Sequence, residues 1–169
     1  MGDRTDDQTA EVLNKNLSDY YENGVRYLKW QCDFRLEKIK TATSKKDLLP
    51  SPVEIEGKLN RLSSLIAKSQ EYGLVPILEF KLNLMSTVST KSYHELMIKV
   101  LDTAFERLES AEVKMDAVVL GLKLELEGGE EDLKILEADL AKETAEVLDH
   151  HVPSEVAGVF TSITTVKSE

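Results

Sequence analysis

The chain has 169 residues, 41% hydrophobic and 31% charged, with a net charge of −10. That length fits one domain, which can bury about two-thirds of its unfolded surface without disulfide or metal staples. The one cysteine, Cys32, excludes an intrachain disulfide and favours a reducing compartment. No apolar run approaches the ~20 residues of a membrane helix. The N-terminus, Met1 to Asp7, is too polar and acidic for a secretory signal or a transit peptide. Asp6 stands where a myristoylation signal needs Ser or Thr. Together these features predict a soluble protein of the cytoplasm or nucleus, with residues 1–5 as a flexible N-terminus.

From about Asp6 to Lys46 the pattern predicts one long first helix. Leu13, Leu17, Tyr21, Val25, Leu28, Cys32, Leu36 and Ile39 recur at steps of three and four, as one helical face requires. Tyr20, Tyr27 and Phe34 widen the apolar arc beside that stripe. Gly24, at a cost of about 1 kcal/mol relative to alanine, marks a place for a kink. Leu48-Leu49-Pro50-Ser51-Pro52 is a break. Ser51 then reads as an N-cap, with Pro52 at the first helical position and Glu54 completing a capping box. The second helix carries Ile55, Leu59, Leu62, Ile66 and Ser69 on one face and stops near Gly73.

Residues 77–90 support two readings. Leu78, Phe80, Leu82 and Leu84 alternate with Glu79, Lys81 and Asn83, as in a half-buried strand, while Ile77, Phe80, Leu84 and Val88 also fit a helical face. Richness in leucine and poverty in β-branched residues favour the helix. Ser92-Tyr93-His94-Glu95 reads as a second capping box. From Met97 through Val100, Ala104, Leu108, Ala111, Met115, Val118 and Leu122 to Leu126 the steps of three and four continue as a near-heptad seam. Val118 to Leu126 also alternate with Lys123, Glu125 and Glu127, so a strand competes here too. After Gly128-Gly129, Glu130, Glu131 and Asp132 suit a helix N-terminus, and Leu133, Leu136, Leu140, Thr144 and Val147 give a fourth helix its stripe, closed by Pro153.

The favoured architecture is all-α: an elongated up-down helical bundle over 6–151 with a coiled-coil-like seam, and 152–169 as a C-terminal tail, docked or disordered. The alternative is α/β, with a small three-stranded sheet from 77–88, 118–127 and 156–166. Against that alternative, parallel strands covered on both faces read as continuous apolar runs, whereas these alternate with charge.

The charge is unevenly spread. Residues 26–46 carry a net of +5, with Arg26, Lys29, Arg35, Lys38, Lys40, Lys45 and Lys46 against Asp33 and Glu37, while residues 102–149 carry −10. The two regions are expected to face each other, within one chain or between two. The stretch also holds Tyr27, Trp30 and Phe34. Those three with Lys38, Lys40, Lys45 and Lys46 form the candidate interaction surface. Nucleic-acid binding through it is disfavoured by the acidic half, and binding to a membrane surface by aromatics that read as core.

No catalytic, cofactor or metal site is evident. His150 and His151 point about 100° apart on a helix and cannot share a metal; they read as a helix end, and His94 as an exposed ring. Cys32 lies in an apolar stripe and reads as an inert thiol. Nucleophile-elbow, dinucleotide, phosphate-loop and calcium-loop motifs are all missing. The composite expectation is a non-catalytic helical interaction module, a subunit or adaptor that binds other protein subunits or self-associates, without cofactors. The alternative is a small α/β ligand-binding or enzymatic domain.

Overall fold

A computed structural model describes residues 6–40, 45–85, 87–128 and 130–167. Its elements are helix α1 (Asp6–Glu22), strands β1 (Tyr27–Lys40) and β2 (Lys45–Leu48), helix α2 (Pro52–Glu71), strand β3 (Val75–Met85), helix α3 (Thr90–Ser110), strand β4 (Val119–Gly128), helix α4 (Glu130–His151) and strand β5 (Gly158–Lys167). The strands form one five-stranded sheet in the order β2-β1-β3-β4-β5. β2 pairs antiparallel with the end of β1, and every other neighbouring pair is parallel.

The architecture is therefore α/β, which corrects the expected helical bundle and its coiled-coil seam. The alternative sheet identified three of the strands, at 77–88, 118–127 and 156–166, which the structure places side by side as β3, β4 and β5. It lacked β1, which begins inside the expected first helix. The reason is arithmetic. A step of four residues stays on one face of a helix and also on one face of a strand. Leu28, Cys32 and Leu36 satisfy both periods. Trp30 and Phe34, two residues off that stripe, sit on the same face of β1 and settle the strand. The same ambiguity carried the expected third helix through Val118, Leu122 and Leu126.

Helices α1, α2 and α3 end where the backbone turns left-handed. Gly24 (φ 88°) ends α1, with Gly24 N–H donating to Tyr21 and Val25 N–H to Tyr20; it terminates the helix instead of kinking it. Gly73 (φ 75°) does the same for α2, where Leu74 N–H returns to Ser69. α3 closes with the same pattern, Val113 N–H donating to Leu108, but the left-handed residue is Glu112 (φ 56°). Without a glycine there, the sequence carries no stop signal, and the seam reads straight through the break.

At the helix starts, Ser51 caps α2 as expected, its hydroxyl accepting from Glu54 N–H at 3.1 Å with Pro52 in the first turn. For α3 the cap is Ser89, three residues before the expected box; its hydroxyl accepts from Ser92 N–H. Asp47 on β2 accepts from Ser89 N–H at 3.0 Å and from the Ser92 hydroxyl at 2.8 Å, tying the short strand to the start of α3. Residues 1–5, the expected flexible N-terminus, lie outside the described residues. Residues 158–167, inside the expected tail, form edge strand β5.

Beyond β1, each parallel strand is added beside the last in one direction. Crossovers of a single hand then return every helix to the same side of the sheet. α2 packs on β1 and β3, α4 on β4 and β5, and α2, α3 and α4 lie side by side. The core fills the space between: Phe34, Leu78, Phe80, Leu82, Leu120, Leu122 and Leu124 from the sheet against Ile55, Leu59, Ile66, Met97, Val100, Leu101 and Leu108 from the helices, all nearly without solvent exposure. Polar contacts tie these elements together. Trp30 Nε1 donates to Ser69 Oγ at 2.9 Å. Thr144 donates to the Leu140 carbonyl, so the Tyr93 hydroxyl donates to Thr144 Oγ1, at 2.5 Å. Burial pushes the Tyr93 phenol up to about 12, so it stays a donor across neutral pH.

Two stability changes are expected. Glu112→Gly relieves the left-handed strain and should raise the free energy of unfolding by roughly 1 kcal/mol, read as a higher denaturant midpoint at unchanged slope. Leu108→Asp places an unpaired charge in the buried face of α3, at a cost of several kcal/mol. It should abolish the cooperative thermal transition.

Candidate functional site

Because the helices cover one face, the other face of the sheet carries the odd-numbered side chains of β1, β3 and β4 and the even-numbered ones of β5. The parallel register sets them in rows. Gln31, Glu79, Gly121 and Phe160 form one row; Asp33, Lys81, Lys123 and Ser162 the next; Arg35, Asn83, Glu125 and Thr164 the third. Lys29 stands one row before Glu79. This face thus gathers cations and carboxylates from three strands, β1, β3 and β4.

Glu79 is the most enclosed ionisable group there, only 5% exposed, and Lys29 Nζ approaches its Oε1 at 3.1 Å. A carboxylate held out of water survives as an ion when a partner compensates its charge. One row further, Glu125 receives Lys81 Nζ on Oε2 at 2.9 Å and Lys123 Nζ on Oε1 at 3.2 Å. Hydrogen bonding to Glu125 raises the Lys81 pKa, and hydrogen bonding from Lys81 is the main cause of the lowered pKa of Glu125. At the C-terminal ends of the strands the face opens into a groove of about 360 Å³, lined in part by Arg35, Asn83, Met85, Glu125 and Glu127. Gly121 is needed for this arrangement: the Phe160 ring lies across it and occupies the space a Cβ would take. Chemically, the face offers primary amines, which add to carbonyls, beside a buried carboxylate, which carries protons.

The expected interaction surface is not brought together as one patch. Tyr27 is exposed at the start of β1, whereas Trp30 and Phe34 point to the helix layer, and Phe34 is 1% exposed in the core. Lys38, Lys40, Lys45 and Lys46 fall in the β1–β2 ladder, with Lys38 opposite Asp47 and Lys40 opposite Lys45; their side chains lie outside the described residues. Of the other cations in that stretch, Arg26 donates to the Tyr21 carbonyl, Lys29 meets Glu79 and Arg35 pairs with Glu37. Within 102–149, Glu125 is met by Lys81, which lies outside that basic stretch.

The remaining reactive side chains are engaged elsewhere. His94 meets Glu143 at 2.6 Å and His151 meets Asp102 at 2.7 Å, both bridging α3 and α4 in the helix layer. His150 contacts the Glu146 carbonyl near the end of α4. Burial pushes the Cys32 thiol up to about 11, which leaves it an inert core residue at neutral pH. Among the described residues no group of three His, Cys, Asp or Glu is placed to hold a metal ion, and no helix is long and apolar enough to cross a membrane.

Sequence reasoning missed Lys29, Glu79, Lys81, Lys123 and Glu125. Their signal was present: a charged or amide side chain at every second position of 29–37, 79–83 and 123–127. Read as helix, that alternation scatters the charges around a cylinder; read as parallel strands, it aligns them on one face.

The model of the fructose-bisphosphate aldolase class-I family matches residues 2–169. A fructose-bisphosphate aldolase of Dictyostelium discoideum is 26% identical over 155 residues, covering 92% of this chain and 42% of that protein. The cytoplasmic isozyme of Spinacia oleracea is also 26% identical, over 156 residues, covering 92% and 41%. The chain thus spans about two fifths of the length of these relatives. The solved structure of Plasmodium falciparum fructose-bisphosphate aldolase overlays with a TM-score of 0.70 at 24% identity, over 89% of this chain and 42% of that one, and shows the shared fold. These relatives are named as enzymes, which overturns the expected non-catalytic interaction module and supports the alternative of an α/β enzymatic domain. A match that runs almost the whole length of the chain leaves one assignment: this chain belongs to the class-I fructose-bisphosphate aldolase family.

Proposed function

We propose that this chain carries the reacting groups for aldol cleavage of a phosphorylated ketose, with Lys123 forming an iminium with the ketone and Glu79 carrying the proton. One observation carries the reading: on the open sheet face, Lys123 lies one strand and one row from a buried carboxylate that is itself compensated by Lys29. The family membership supports the substrate class, since the relatives are named for a ketose bisphosphate. Catalytic groups of barrels built from such α/β units stand on strands of the helix-free interior, near their C-terminal ends.

The chemistry balances as follows. The Lys123 ammonium gives up one proton so that its nitrogen can add to the ketone carbon; that proton and one more from the nitrogen leave with the carbonyl oxygen as water, giving a C=N⁺–H bond. That iminium accepts the electron pair of the bond between the α and β carbons as it breaks. The β hydroxyl gives its proton to Glu79 and becomes the carbonyl of the departing aldehyde. The enamine left on Lys123 recovers the proton at carbon, and water hydrolyses the iminium to release the second product, a ketone. Of the three amines, Lys29 is committed to Glu79 and Lys81 holds the shorter contact to Glu125. Lys123, with the longer contact, is the one a carbonyl draws away. Lys81, kept an ammonium by Glu125, is a fixed cation suited to a phosphate. A cytosolic setting fits this reading, as two relatives are named cytoplasmic and cytosolic forms.

Sodium borohydride added with a ketose phosphate should fix one reduced adduct on the protein, and peptide mapping should place it on Lys123. Lys123→Met should lose it. An adduct spread over surface lysines, or none, rejects the assignment. Glu79→Gln should retain the adduct but lower turnover by roughly 10²–10⁴-fold, because it removes proton transfer and leaves the amine in place. Equal loss of adduct and turnover would make Glu79 a structural residue.

A further inference from the structure

We infer that Glu125 is the positioning residue of this site: its two oxygens bridge Lys81 and Lys123 and hold the Lys123 amine over the centre of the open face. The inference rests on reading Lys123 as the iminium-forming amine.

The geometry is specific to this pair of strands. Lys81 and Lys123 are register partners on adjacent parallel strands, so their side chains leave the sheet side by side. Left alone, two ammonium groups so placed repel each other and splay apart. Glu125 lies two residues after Lys123 on β4, on the same face, and its carboxylate takes one amine on each oxygen, at 2.9 and 3.2 Å. The bridge is partly sheltered, with side-chain exposures of 22% for Lys81, 35% for Lys123 and 25% for Glu125. Such a three-membered cluster outperforms an isolated surface pair, because the shared carboxylate orders two flexible chains at once. Around it, β3 contributes Glu79, β1 contributes Asp33 and Arg35, and β4 contributes Glu127. β5 faces it with the uncharged Ser162 and Thr164. Two amines share one carboxylate within the cluster, so an incoming anionic ketose meets both a cation to bind and an amine to react with.

The test uses the whole chain, with Glu125→Gln and Glu125→Asp beside the wild type and circular dichroism to establish folding. The first readout needs no substrate. In competitive labelling with acetic anhydride at fixed pH, Lys81 and Lys123 should both react roughly threefold or more faster in Glu125→Gln, with Glu125→Asp intermediate. The second is borohydride trapping of a ketose phosphate across pH. In Glu125→Gln the maximal trapping rate should fall about tenfold while half-saturation moves little, since orientation of the amine is lost more than binding. Raising the pH should not restore that rate, because what is lost is the position of the amine. Glu125→Asp should recover part of both effects. A wild type that traps no adduct at Lys123 overturns the iminium reading and this inference with it. A wild type that traps normally, beside a folded Glu125→Gln with unchanged labelling and trapping rate, overturns the bridge alone.

Discussion

The parallel pairing of β1, β3, β4 and β5 in chain order is the constraint on which everything else in this molecule depends. Once each strand is laid beside the previous one in the same direction, the connecting helices must all return on one side. One face of the sheet is then sealed by α2, α3 and α4 over a core of leucine and phenylalanine, and the other carries none of these three helices. Burial and reactivity are thereby separated by side-chain parity along each strand. Even positions of β1, β3 and β4 supply the core; odd positions supply the site.

That separation lets an acidic chain with few unusual residues build a concentrated electrostatic cluster. The site has no motif contiguous in sequence. Lys29, Glu79, Lys123 and Glu125 come from three strands, and the ladder brings them within reach of each other. Parallel register is what makes the arrangement firm: a one-residue slip of β3 would turn Glu79 and Lys81 into the leucine layer and expose Phe80 and Leu82, at the cost of a buried charge and lost apolar burial together. The core therefore holds the site in register, and small devices refine it. Gly121 gives room for the Phe160 ring, and the Lys29 ammonium compensates the enclosed Glu79.

The helix layer has its own polar ties, distinct from the site. Tyr93 to Thr144, His94 to Glu143 and His151 to Asp102 all join α3 to α4, so the imidazoles that a search for catalysis would examine first are employed in packing. The lysines that a search for interaction surfaces would treat as solvated charge are the groups with chemistry to offer.

Local features were legible from the sequence because short-range physics decides them. Ser51 and Pro52 open α2, the left-handed Gly73 follows it, and the buried stripe of Ile55, Leu59, Leu62, Ile66 and Ser69 lies where the periodicity puts it. The alternation in 78–84 and 118–126 was legible too, but not its meaning. A step of four belongs to both periods, so Leu28, Cys32 and Leu36, or Val118, Leu122 and Leu126, cannot distinguish strand from helix by spacing alone. The end of α3 rests on a non-glycine residue, Glu112, held left-handed by the chain around it. The rule that parallel strands are apolar on both faces failed because helices cover only one face of this sheet. Which face would be bare, and hence that Lys81, Lys123 and Glu125 would meet, was decided by the handedness and order of the crossovers. Those are properties of four strands packed together, and no single stretch of the chain contains them.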